Sequence, residues 1–200
     1  MTNRKDHNGL FIVLEGIDGS GKSSLVDPIA RYFIDKGKTV WVTSEPTTSE
    51  IGELARETLK QGNRDRLRAL LMAADRIDHT REIREFLKDP NAVVVCDRYK
   101  HSALAYQTLK FPAEDINVLN KGCLDPDLVI YMDISPDVAL SRIDLRGGKK
   151  EVFEKLDLLK KVKDNYDKID MGRVIKIDNS YMTIETTRAT VLMELVKEGF

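Results

Sequence analysis

The stretch FIVLEGIDGSGKSS, Phe11 to Ser24, decides how the rest of the chain is read. It opens with β-branched and apolar residues, which suit a buried strand. At Gly16 the character changes. Gly16, Gly19 and Gly21 follow in quick succession, and then come Lys22, Ser23 and Ser24. A chain that becomes flexible and polar directly after a strand is shaping a loop.

Gly16-Ile17-Asp18-Gly19-Ser20-Gly21-Lys22-Ser23 matches G-x-x-x-x-G-K-[ST] at every fixed position. Glycines let successive backbone N–H groups curl inward around an anion. A helix starting at the lysine adds unpaired N–H groups and the positive end of its dipole. Lys22 can reach outer phosphates, and the Ser23 hydroxyl can ligate Mg²⁺. A glycine-rich turn with a solvated lysine is the plain alternative, and the strand–loop–helix context disfavours it. The motif predicts a bound nucleoside triphosphate, not its fate.

Outward from this loop, strand and helix signals alternate. Strands are expected at Leu10–Glu15, Thr39–Thr43, Ala92–Cys96, Leu128–Asp133 and Arg173–Ile177. Helical spacing covers Lys22–Lys36, Ser49–Gln61, Asp65–Lys88, His101–Leu109, Ala113–Lys121, Pro136–Leu145, Val152–Ile169 and Thr183–Lys197. Pro28 inside the first helix predicts a bend or a late start. Ala92–Cys96 is apolar throughout, which predicts burial on both faces. The pattern predicts an α/β P-loop NTPase fold: a five-stranded parallel sheet with helices on both faces.

The chain has 200 residues, and its 42% apolar content suits one globular domain, read as residues 10–200 after a short polar tail, 1–9. That tail does not resemble a signal peptide. A net charge of −1 gives no general reason to expect a nucleic-acid or membrane partner. No apolar run approaches the length of a membrane helix. Cys96 and Cys123 form neither a metal-ligand spacing nor a disulfide framework, which points to a reducing, cytoplasmic compartment.

Three fates of a P-loop separate on further motifs. A switch GTPase needs D-x-x-G and then N-K-x-D. Asp144-Leu145-Arg146-Gly147 comes too late, and Asn120-Lys121-Gly122-Cys123 lacks the final aspartate. An accessory ATPase usually ends a strand in an acidic pair. Here Asp97 is followed by Arg98 and Tyr99. An arginine beside a metal-binding carboxylate suits a second anion, as a phosphoryl acceptor requires.

Val95 to Gln107, with Asp97-Arg98-Tyr99, Ser102 and Ala105-Tyr106-Gln107, resembles the thymidylate kinase signature D-R-Y-x-x-S-x-x-A-Y-Q. Glu15 to Ser24, Ser44-Glu45-Pro46, Ala73-Ala74-Asp75-Arg76, Asp125-Pro126-Asp127-Leu128 and Ile177-Asp178 fit the same family in the same order. The short segment near 142–151 is most similar to the lid of archaeal members. The resemblance implies transfer of the ATP γ-phosphoryl group to dTMP with Mg²⁺, by a homodimer. It implies that Gly16 to Ser24 hold ATP, that Lys22 serves the transferred group, and that Ser23 and Asp97 serve the metal. It further implies that Asp18 meets the sugar 3′-OH and Arg98 the acceptor phosphate. Arg76, Ser102 and Gln107 would approach the base, and Tyr106 the deoxyribose, while Glu45-Pro46 would line the substrate site or form a plain turn. Arg76 on a highly charged helix has a competing reading as a solvated residue. So do Ser102, Tyr106 and Gln107, as one ordinary amphipathic face.

Two departures stand out. Some members carry an arginine where this chain has Gly19, so a transition-state cation is expected from the basic segment Arg142 to Lys150, with Arg146 and Arg142 preferred. Many members stack phenylalanine on thymine where this chain has Met72. A kinase of another nucleoside monophosphate or of a deoxynucleoside stays open on these residues. So does a nucleotide-binding regulator without turnover.

Overall fold

The computed structural model describes residues 7–60, 64–143 and 149–200. The strands are β1 (Leu10–Glu15), β2 (Thr39–Ser44), β3 (Ala92–Asp97), β4 (Leu128–Met132) and β5 (Val174–Ile177). They form one parallel sheet in the order β2-β3-β1-β4-β5. Between them run α1 (Ser23–Asp35), α2 (Glu50–Leu59), α3 (Asp65–Phe86), α4 (Lys100–Gln107), α5 (Ala113–Leu119), α6 (Pro136–Arg142), α7 (Lys149–Tyr166) and α8 (Ile184–Lys197). The elements match the expected ones to within a few residues at their ends. Leu145, expected to close α6, lies outside the described residues.

Side-chain alternation explains the two covered faces. Ile12 and Leu14 of β1 point to one side with Val93 and Val95, where Leu25, Ile29 and Phe33 of α1 and Val191 and Leu195 of α8 cover them. Phe11 and Val13 point to the other, against Ile83 of α3 and Tyr99. On that second face Val129 and Tyr131 of β4 pack with Leu140 of α6 and Leu159, Val162 and Tyr166 of α7. The all-apolar β3 is buried along Ala92–Cys96, as its composition requires. The edge strands β2 and β5 alternate with exposed positions.

Local chemistry sets the element ends. Ser49 caps α2 by accepting the N–H of Gly52 at 3.1 Å, and Thr183 caps α8 by accepting that of Thr186 at 3.2 Å. Such a cap contributes about 1 kcal/mol. The first helix begins at Ser23, one residue later than expected, and continues through Pro28. Proline removes the bond to the Ser24 carbonyl, but Ser24 is exposed, so water can take that place. Among the described residues, no helix is long and apolar enough to cross a membrane.

The strand order brings the site together. The chain leaves β1, skips over the position of β3 to build β2, returns to β3, and then crosses to β4 on the other side of β1. The connections therefore diverge around the carboxyl end of β1, where open α/β sheets bind ligands. The loop after β1 and the Asp97-Arg98 end of β3 meet there, with Leu14 paired beside Asp97.

Candidate active site

In the P-loop, Lys22 is buried and its Nζ donates to the Gly16 and Ile17 carbonyls at 2.9 Å and to Ser20 Oγ at 3.1 Å. The ammonium thus lies within its own loop, where phosphate oxygens would replace these acceptors. Burial, with Arg98 as a second positive charge, pushes Lys22 down to about 7, against the pull of Asp97, Asp18 and Glu15. Gly19 adopts φ 78°, and a Cβ there would collide with the Ala139 carbonyl oxygen in α6. An arginine at this position does not fit unless α6 moves, which gives the missing P-loop arginine a steric reason.

Ser23 Oγ donates to Asp97 Oδ2 at 2.6 Å. The other carboxylate oxygen, Oδ1, is buried without a hydrogen-bond partner. An orphaned carboxylate oxygen beside a hydroxyl fits Mg²⁺, which keeps several waters and takes few protein ligands. Among the described residues no group of three or more His, Cys, Asp or Glu side chains is arranged to hold a metal. The pair therefore suits a metal held mainly by substrate phosphates. A cavity of about 640 Å³ opens beside Ser23 and Asp97, and Ser44, Thr47, Thr48 and Ser49 line it with hydroxyls.

Arg98 follows Asp97 with φ 69°, in the left-handed region. Such a conformation costs roughly 1–3 kcal/mol for a non-glycine residue and needs support from its surroundings. Its Nη2 donates to Asp18 Oδ1 at 2.6 Å, its Nη1 to Ser102 Oγ at 3.3 Å, and the guanidinium lies over the Tyr106 ring. The Tyr106 hydroxyl accepts the N–H of Asp18 at 3.1 Å, which ties α4 to the P-loop. The structure thus links Asp18, Arg98, Ser102 and Tyr106 by hydrogen bonds, joins Lys22 to them through the Gly16 carbonyl that Arg98 Nη1 also reaches at 3.4 Å, and sets the Ser23–Asp97 pair alongside. Gly16, Ile17, Ser20, Gly21 and Ser24 shape the loop around it.

Beneath this group lies a residue that the motif reading passed over. Glu15 is fully buried and accepts from the N–H groups of Tyr99 and Ser102, from Ser102 Oγ and from the Tyr166 hydroxyl. Burial alone pushes its carboxyl up, but His101, Ser102 and Arg98 outweigh this and hold it below the usual range. The available signal was a carboxylate closing an otherwise apolar strand. Tyr166 carried no such signal.

Two further pairs lie beside the group. Arg76 is buried, not solvated: its Nε donates to Glu45 Oε2 at 2.6 Å and its Nη1 to Asn120 Oδ1 at 2.5 Å. His79 Nδ1 meets the other Glu45 oxygen at 3.0 Å. The Glu45 carboxylate is therefore turned into the protein and fixes Arg76, while the Glu45 N–H donates to the Asp97 carbonyl at 3.1 Å. The Glu45-Pro46 peptide is cis. The second pair is Gln107 and Met72, with Gln107 Nε2 donating to Met72 Sδ at 3.3 Å. Both side chains are half-buried, and neither lines the cavity beside Asp97.

Arg142 stands apart from these. It is exposed and donates to the Asn179 carbonyl at 2.9 Å, and Asn179 Nδ2 donates to the Ser20 carbonyl at 2.9 Å. It thus lies on the side of the P-loop next to β5, away from Arg98. Arg146 lies outside the described residues.

The thymidylate kinase family model matches residues 14–191. The chain is 40% identical to the probable thymidylate kinase of Pyrococcus horikoshii, with 92% of this chain and 94% of that one covered. It is 38% identical to the probable thymidylate kinase of Methanocaldococcus jannaschii, with 92% and 90% covered. Its fold is similar to that of the solved thymidylate kinase of Candida albicans, with a TM-score of 0.73 over 96% of this chain and 92% of that one at 22% identity. A P-loop and a D-R-Y strand end that meet at one hydrogen-bonded point, together with a family match across most of the chain, give one conclusion: this protein belongs to the thymidylate kinase family.

Proposed function

We propose that the protein transfers the γ-phosphoryl group of ATP to dTMP, giving dTDP and ADP. The observation that carries this reading is the convergence of Lys22, the Ser23–Asp97 pair and Arg98 at the carboxyl ends of two adjacent strands. A donor-phosphate cation, a metal pair and an acceptor-phosphate cation are what this reaction requires. Phosphoryl transfer asks little covalent chemistry of the protein; it needs positioning and charge stabilisation.

In this mechanism the P-loop N–H groups and Lys22 hold the donor phosphates. Lys22 leaves the Gly16 and Ile17 carbonyls and follows the negative charge. Arg98 exchanges Asp18 for the acceptor phosphate and aims its oxygen at the γ-phosphorus, and Asp18 turns to the 3′-OH of the sugar. The acceptor oxygen–phosphorus bond forms as the bond to the ADP oxygen breaks. Ser23 and Asp97 would hold Mg²⁺, which would supply neutralisation of the donor phosphates' charge. Tyr106 lies against the deoxyribose, and Met72 and Gln107 face the base. Arg76, fixed by Glu45 and Asn120, borders the base pocket. Arg142 or Arg146 supplies the cation that Gly19 does not.

A homodimer is part of this reading. Leu67, Leu70, Ala74 and Ile77 make an exposed stripe at helical spacing on α3, and Ile51 and Leu54 extend it on the adjoining α2. Apolar stripes of this kind are typical of subunit contacts. The reducing cytoplasm suits the unpaired thiols Cys96 and Cys123.

One observation favours a second reading. Met72 stands where a stacking phenylalanine is common, so another deoxynucleoside monophosphate would be accepted more readily than in a phenylalanine-bearing relative. A coupled assay of ADP release over dTMP, dUMP, dCMP, UMP and thymidine tests both. Highest kcat/KM with dTMP is expected. Preference for another acceptor overturns the first reading, and no turnover with any acceptor overturns both in favour of a nucleotide-binding regulator.

A further inference from the structure

We propose that Glu15 and Ser102 are a positioning pair for Arg98, and that Ser102 serves the acceptor's phosphate group and not its base. The inference rests on the dTMP kinase reading above.

Glu15 is the last residue of β1 and has no exposed surface. Each carboxylate oxygen has a distinct task. Oε1 accepts the N–H groups of Tyr99 and Ser102 at 2.9 and 3.1 Å. These flank the start of α4, where Tyr99 offers no side-chain cap; the Tyr99 N–H goes to Glu15, and the Ser102 N–H is shared between Glu15 and the Tyr99 carbonyl, each at 3.1 Å. A carboxylate from a neighbouring strand thus caps the helix that follows Arg98, and suits the positive end of its dipole. Arg98 is held in its left-handed conformation between two anchored points: its own N–H donates to the Leu14 carbonyl at 3.0 Å, and the next residue is bound by Glu15.

Oε2 accepts from Ser102 Oγ at 2.6 Å and from the Tyr166 hydroxyl at 2.8 Å. A serine hydroxyl has one proton to donate. With that proton on Glu15, Ser102 Oγ meets Arg98 Nη1, at 3.3 Å, as an acceptor. Ser102 Oγ also lies 2.9 Å from the Tyr166 hydroxyl, so its proton goes to Glu15 or Tyr166, its other side is taken by Arg98 and Tyr166, and no proton is left for a carbonyl on the base. A lone pair faces the guanidinium that binds phosphate. Charge, direction and distance all route Ser102 toward Arg98.

Thymidine carries the base and sugar of dTMP without the phosphate, so the two ligands separate the roles. Calorimetric titrations of the full chain with dTMP and with thymidine are compared for the wild type, Glu15→Gln and Ser102→Ala. Glutamine keeps an oxygen for the two N–H groups but loses the charge and reverses the bond to Ser102. Both variants are expected to weaken dTMP binding by about tenfold or more, while thymidine binding changes by less than about threefold. Equal losses for dTMP and thymidine, or unchanged dTMP affinity in both variants, overturn the positioning role. If Glu15→Gln does not fold, Ser102→Ala decides alone, because it strands no buried charge. A wild-type protein that binds thymidine but gains nothing from the phosphate overturns the role of Arg98. One that binds neither ligand overturns the kinase reading itself.

Discussion

Ser23 Oγ and Asp97 Oδ2 lie 2.6 Å apart although 74 residues separate them in the chain. Parallel pairing of β1 with β3 sets Leu14 beside Asp97, so the start of α1, which follows the loop after β1, and the end of β3 deliver a hydroxyl and a carboxylate to one point. Asp97→Asn keeps the shape and removes the charge. It should raise the Mg²⁺ concentration for half-maximal activity by roughly tenfold or more. A Mg²⁺ titration of initial rates checks this; an unchanged midpoint removes Asp97 from the metal site.

Lys22→Ala should lower kcat by at least roughly 10²–10³, the cost of losing a preorganised group at the transferring charge. The fold should survive, because the substitution removes a buried ammonium and leaves the loop glycines in place. Circular dichroism beside the steady-state assay separates the two effects. Near-wild-type turnover in a folded variant would exclude Lys22 from the mechanism.

The low position of Lys22 predicts a proton signature. In the free folded protein it loses its proton near pH 7, whereas the unfolded chain keeps it to about 10.5. Between these values the unfolded state holds more protons, so this group makes stability rise with pH across that window. ATP phosphates favour the charged form. Binding at pH 8 should therefore take up about one proton. Calorimetry in buffers of different ionisation enthalpy measures the uptake; zero uptake means the lysine is already charged in the free protein.

With a side chain at Gly19 sterically blocked, the proposed mechanism takes a second transition-state cation, besides Lys22, from beyond the P-loop. Cations of this kind contribute roughly 10³–10⁵ in turnover. Arg146→Ala or Arg142→Ala should lower kcat far more than it raises the dTMP KM. If the single variants and the pair all stay within a few-fold of wild type, the segment has no catalytic role.

Gln107 and Met72 touch each other, which makes their separate contributions measurable. A thioether packs on a ring for about 0.3–1.5 kcal/mol, close to the extra worth of an aromatic pair. Met72→Phe should therefore move the dTMP KM by less than about tenfold. Gln107→Ala should narrow the preference for dTMP over dCMP more than Met72→Phe does, since a lost polar contact to the base changes discrimination more than a swapped apolar one. The reverse order in kcat/KM would assign base discrimination to position 72.

Local chemistry made much of this protein legible from its residues alone. Strand and helix periods, Gly16 to Gly21 and the D-R-Y end of β3 are short-range patterns, and they located the strands, the phosphate loop and most of the residues that the fold gathers beside it. Tertiary structure alone decided three other matters. The strand order β2-β3-β1-β4-β5 depends on which buried faces fit together, which no local pattern encodes. Arg76 lies on a helix full of charges, yet it is buried because Glu45 and Asn120, 31 and 44 residues away, satisfy it. Glu15 read as the end of a strand, but its partners Tyr99, Ser102 and Tyr166 are 84 to 151 residues distant. A buried polar group must find its partners wherever the folded chain brings them, so its role becomes visible only when the sheet is assembled.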